Sequence, residues 1–92
     1  MYRIIGGRGS GKTGNLMLLA KEQGASIACK NPLAMKQKAL AYGITGIDFI
    51  HYNDLLDNNT THADVMIDEV DSFIKYCIGS NNLVGYSLTN ED

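Results

Sequence analysis

Gly6-Gly7-Arg8-Gly9-Ser10-Gly11-Lys12-Thr13 fits the pattern G-x-x-x-x-G-K-[ST], and its place in the chain gives the pattern a mechanism. Tyr2 to Ile5 is a short run with β character before it, and the periodic apolar segment Leu16 to Ala20 follows, so the stretch reads as strand, loop, helix. Glycines open backbone conformations closed to other residues and let consecutive N–H groups gather around an anion. The helix that follows points its partly positive N-terminus at the same place. Lys12 adds a full positive charge on a flexible stem that can follow the β- and γ-phosphates of a nucleotide, and the Thr13 hydroxyl is placed to ligate a bridging Mg²⁺. The expected binding loop comprises Gly6, Gly7, Arg8, Gly9, Ser10, Gly11, Lys12, Thr13 and Gly14. Arg8 serves equally well as a phosphate contact or as a solvent-facing side chain. The competing explanation is a glycine-rich turn with an incidental Lys-Thr. Gly14 and Asn15 together cost the first helical turns on the order of 1 kcal/mol against good helix formers, so this helix is expected to lean on packing and ligand.

Outward from the loop, Ser26 to Cys29 is a second apolar run, followed by Asn31-Pro32, where Asn caps a helix that begins on proline and runs to about Tyr42. Gly43 supplies the left-handed residue that closes it, and Ile47 to Tyr52 reads as a third strand. Asn53 to Asn58 is at most one helical turn, and Asn58 to His62 a polar loop. Ala63 to Ile67 is apolar apart from Asp64, as expected of a parallel strand covered on both faces. Val70, Phe73, Ile74, Cys77 and Ile78 then follow the i, i+3, i+4, i+7, i+8 spacing of an amphipathic helix ending at Gly79, and Leu83 to Leu88 makes a last strand. Strands alternating with helices predict one α/β domain over residues 1–92, three-layered, with a mostly parallel sheet of about five strands and right-handed crossovers.

The fourth strand run, Val65-Met66-Ile67, ends in Asp68-Glu69. The carboxyl ends of parallel strands share one sheet edge with the loop after the first strand, so Asp68 is expected to face the phosphate site and hold Mg²⁺ opposite Thr13, commonly through water. Glu69 is then the candidate to accept a proton from an attacking water. Both acids also precede a helix, whose dipole alone favours negative charge by about 0.3 to 1 kcal/mol.

With these two motifs the chain resembles the P-loop NTPases, Gly6 to Thr13 matching Walker A and Val65 to Glu69 matching Walker B. The similarity of pattern spans nearly the whole chain, although only the two motifs are specific. Acid-acid at the end of the second motif is similar to the catalytic-glutamate division, which includes the AAA+, RecA-like, helicase and DNA-packaging ATPases. That resemblance implies a sheet in which Leu83 to Leu88 inserts between the two motif-bearing strands, with Thr89 and Asn90 at the sensor position that feels the γ-phosphate. The run from Asp64 through Asp71 and then Leu83 to Thr89 also looks, more loosely, like thymidine kinases and small phage-encoded ATPases. The chain lacks an Asn-Lys-x-Asp motif, which disfavours a GTPase, and no arginine beyond Arg8 is present to act as a finger toward a neighbour.

Composition sets limits on these expectations. A 92-residue chain of 10.0 kDa with 45% apolar residues lies near the lower end of sizes that fold alone, leaving no room within it for a lid or second catalytic domain. Its longest strongly apolar stretch is far shorter than the roughly 20 residues of a membrane span, and no apolar leader precedes it, so the expected location is cytoplasmic, with no membrane partner. Residues 1–46 carry seven basic residues against Glu22, and residues 47–92 carry nine acids against Lys75. This asymmetry suits either mixed solvated faces or a phosphate pole beside a metal pole. Cys29 and Cys77 read as buried reduced thiols, and His51 and His62 as surface or strand-end residues rather than metal ligands. One of Tyr42, Tyr52, Tyr76 and Tyr86 can be a base-stacking residue, though partial burial is the ordinary fate of tyrosine, and Lys30, Lys36 and Lys38 can touch nucleic-acid phosphates.

The leading expectation is a slow ATPase with catalytic Lys12 and Glu69 that binds ATP, or another nucleoside triphosphate, with Mg²⁺ and acts with a protein partner or as a homo-oligomer in a nucleic-acid-related process. The alternatives are an accessory or inhibitor module that binds nucleotide without useful turnover and, less favoured, a nucleoside kinase.

Overall fold

The computed structural model describes residues 1–7, 9–57 and 64–89. Its elements are α1 (Lys12–Gln23), β1 (Ser26–Cys29), α2 (Pro32–Ala41), β2 (Phe49–His51), α3 (Tyr52–Leu56), β3 (Val65–Ile67) and α4 (Val70–Ile78). The glycines and caps punctuate this order. At the end of α1 the Ala25 N–H reaches back to the Ala20 carbonyl at 2.9 Å over Gly24, whose φ of 68° is open to glycine at no steric cost. Asn31 caps α2 by accepting from the Ala34 N–H at 3.1 Å, with Pro32 at the first helical position, where a missing N–H costs nothing.

The three strands form a parallel sheet in the order β2-β1-β3. Ile27 lies opposite Phe49 on one side and Met66 on the other, and the ladder continues one step beyond β3, where the Asp68 N–H donates to the Ala28 carbonyl at 2.9 Å. As the central strand, β1 is buried along its whole length. Ile27 and Cys29 pack with Met17 and Ala20 of α1 and Ala39 of α2. The alanines let both helices approach the sheet closely, and burial of Met17 or Ile27 contributes about 1.5–3 kcal/mol each. Ser26, whose hydroxyl finds no hydrogen-bond partner among the described residues, offsets part of this gain. Burial raises the Cys29 thiol to about 11, with the nearby Asp68 charge adding to the effect.

A second cluster joins α3 to α4. The rings of Tyr52 and Phe73 meet edge-on at 5.1 Å, and Tyr76 lies 5.8 Å from Tyr52. His51 ends β2 and caps α3: its Nδ1 accepts from the Asn53 N–H at 2.9 Å, and its own N–H donates to Asp54 at 3.0 Å. The imidazole is thus a local structural acceptor.

Among the described residues the sheet has three strands where about five are expected. Tyr2 to Ile5 and Leu83 to Leu88 form no strand, and β3 neighbours β1 rather than Leu83 to Leu88. Strand formation requires a partner edge as well as a suitable sequence. Here the first segment lies across a groove of about 910 Å³ from the outer side of β3. Cys77 is exposed rather than buried, because α4 half-buries Phe73, Ile74 and Ile78 and buries none of its residues fully. The stretch 58–63, with the whole of the expected polar loop Asn58 to His62, lies outside the described residues, as do Arg8 and 90–92.

Candidate functional site

The loop before α1 takes its form from specific glycines. Gly9 and Gly11 have φ of 74° and 80°, where other residues are strained by roughly 1–2 kcal/mol. A Cβ on Gly6 would collide with the Ser10 hydroxyl. Gly7 meets no such restriction. The helix that follows has Gly11 at its N-cap, no side-chain cap and no acid in its first turn. Its leading N–H groups therefore have no intrahelical acceptor, and no acid of α1 itself answers them.

Across the cleft stands the acid pair. Asp68 leaves β3, and Glu69 follows with φ 58° and ψ 72°, the single non-glycine residue in the left-handed region among the described residues. That turn swings Glu69 toward the loop, where its Oε1 lies 3.1 Å from Lys12 Nζ. The same ammonium reaches the Gly6 carbonyl at 3.5 Å. Lys12 thus spans the cleft from the loop to the acids, joining the two residues expected to be catalytic.

Tyr52 fixes the backbone of this turn. Its buried hydroxyl donates to the Asp68 carbonyl at 2.6 Å and lies 3.3 Å from that of Glu69. Burial, then the charge of Asp68, raises its pKa to about 12, so it remains a donor throughout the physiological range. Asp68 itself is raised above the usual 3.8 by burial first and by Glu69 second, with Lys38 and Lys12 pulling in the opposite direction. A half-buried carboxyl beside another carboxylate favours a proton or a cation.

Gly7, Gly9, Ser10, Gly11, Lys12, Thr13 and Gly14 border one cleft of about 240 Å³ together with Glu69, and Gly6 and Asp68 line the adjoining groove, which shares Lys12 and Glu69. Arg8 and Asn90 fall outside the described residues. Thr89 is not brought to this cleft: its carbonyl accepts from Arg3 Nη2 at 3.4 Å, and it lines neither cavity. Among the described residues no group of three His, Cys, Asp or Glu side chains is gathered into a metal cage.

Three further residues belong to this site that the sequence offered only for other roles, Lys38 as a nucleic-acid contact and Tyr42 and Tyr52 as base-stacking candidates. Lys38 and Tyr42 of the α2 region border the cleft, and Tyr52 holds the acid turn. The i, i+4 spacing of Lys38 and Tyr42 marks them as neighbours on one helical face. That this face meets the loop follows from packing alone. For Tyr52 the sequence offers no comparable signal.

The chain matches no protein-family model, no curated protein and no solved structure. Among the described residues no helix is long and apolar enough to cross a membrane.

Proposed function

We propose that this chain is a P-loop protein that binds ATP, or another nucleoside triphosphate, with Mg²⁺ and hydrolyses it slowly. The observation that carries this reading is the meeting of Lys12 and Glu69 at 3.1 Å, which unites the phosphate-type loop with the acidic strand end in one cleft. The uncapped start of α1 and the Lys12 ammonium suit the phosphates. Thr13 and Asp68 would hold Mg²⁺, whose preference for one or two protein ligands beside phosphate and water suits a site without a protein cage. The raised affinity of Asp68 for a proton supports the same role. Bound there, Mg²⁺ supplies charge neutralisation on the phosphates.

Glu69 is the proton acceptor for an attacking water. It is paired with Lys12, so a bound phosphate would draw Lys12 away and leave the carboxylate available. Phosphoryl transfer depends on positioning and on stabilising charge, and a protein partner or a second copy would supply further charge, acting in a nucleic-acid-related process. We further propose that the full core is a five-stranded, three-layer P-loop sheet in which Tyr2 to Ile5 and Leu83 to Leu88 extend the free edge of β3. The groove along that edge and the Arg3–Thr89 contact support this arrangement.

Phosphate release from Mg-ATP tests the catalytic reading. Turnover by the parent that disappears in Glu69→Gln with binding retained supports hydrolysis. Binding without turnover in the parent shows a nucleotide-binding module instead.

A further inference from the structure

We propose that Lys38, reaching from α2 over the mouth of the glycine-rich loop, is a second phosphate-binding cation of this cleft and contacts the terminal phosphates of a bound nucleoside triphosphate. The proposal rests on the nucleotide reading and deepens it by naming a residue outside both sequence motifs.

The cleft geometry carries it. Lys38 borders the same small cavity as Ser10, Lys12, Thr13 and Glu69, although it belongs to α2 and not to the loop or the acid turn. Tyr42, one helical turn on, packs its ring beside Gly14, at 3.7 Å from where a Cβ there would stand, and so seats the end of α2 against the start of α1. The two lysines differ in their commitments. Lys12 is engaged by Glu69, whereas Lys38 forms no ion pair among the described residues. A triphosphate carries several negative charges, and a single loop lysine that must first leave an acid answers few of them. A cation on the facing helix answers more.

Calorimetric titration with Mg-ATP, Mg-ADP and AMP tests the assignment in the full chain, its Lys38→Ala and Lys38→Arg variants, and Lys36→Ala. Lys36 is an exposed neighbour on α2 that does not border the cleft. A charge-assisted phosphate contact predicts that Lys38→Ala weakens Mg-ATP about ten- to a hundredfold, weakens Mg-ADP less and leaves AMP nearly unchanged. Lys38→Arg retains most of the affinity, and Lys36→Ala stays within about twofold. Because Lys38 is exposed and alanine is a good helix former, the variant folds, which circular dichroism checks. Parent-like Mg-ATP affinity in Lys38→Ala, alongside loss of binding in Lys12→Ala, overturns the assignment and leaves the nucleotide reading intact. Equal weakening of all three nucleotides also overturns it. Failure of the parent to bind any of them overturns both.

Discussion

Replacing Glu69 by Gln removes the negative partner of Lys12 while keeping the side chain's length and its left-handed backbone position. The pair is close, at 3.1 Å, but its side chains are 30% and 38% exposed, so solvent screens it heavily. Such pairs contribute about 0.2–1 kcal/mol. The ligand-free variant is therefore expected to be less stable by about that amount in urea denaturation. A double-mutant cycle with Lys12→Ala should return the same figure as a coupling energy. In the bound state the sign reverses. Lys12 no longer has to leave an acid to reach phosphate, and a negative charge facing the ligand has gone, so Mg-ATP should bind up to about fivefold more tightly by calorimetry. Phosphate release should fall by about 10²–10⁴, the usual contribution of a general base. Weaker Mg-ATP binding by Glu69→Gln, or a coupling energy of zero, would refute the reasoning that Lys12 is latched by this acid and released by phosphate.

Asp68→Asn tests the metal role through pH. The carboxyl is raised in the folded chain, so between its unfolded value near 3.8 and the higher folded one the folded state holds more proton, and stability falls as pH rises through that window. The variant removes this penalty: it should be more stable than the parent at pH 7 in urea denaturation, yet lose the Mg²⁺ dependence of nucleotide binding. Tyr52→Phe keeps the ring in its aromatic cluster but leaves the Asp68 carbonyl without its 2.6 Å donor, a loss of about 1–3 kcal/mol by denaturation, with a lower rate of phosphate release. Gly14→Ala places a methyl in ordinary contact with the Tyr42 ring at 3.7 Å and replaces a poor helix former, so the melting transition should reflect about 0.5–1 kcal/mol of added stability.

Local rules were enough to place α2 between Asn31-Pro32 and Gly43, because cap, proline and terminal glycine all act within a few residues. The α4 span and its stop at Gly79 follow likewise from a 3.6-residue period. The loop was legible because Gly9 and Gly11 occupy conformations that only glycine takes easily. What local sequence does not encode is partnership. Tyr2 to Ile5 has strand character yet lacks ladder bonds, since pairing depends on which edge lies beside it. Cys77 occupies a core position of an amphipathic stripe, yet is exposed because α4 lies only partly against its neighbours. Lys38 and Tyr52 owe their positions at the cleft to distant segments: one helix end seated against another, and a hydroxyl that meets the acid turn sixteen residues on.

The most direct measurement is a calorimetric titration of the folded chain with Mg-ATP, run in parallel on Lys12→Ala. A saturable heat in the parent, absent or strongly weakened in the variant, is the predicted result, since Lys12 joins the glycine loop to the acid turn. No heat from a parent chain that is folded by circular dichroism, or equal heats from both chains, would contradict the account.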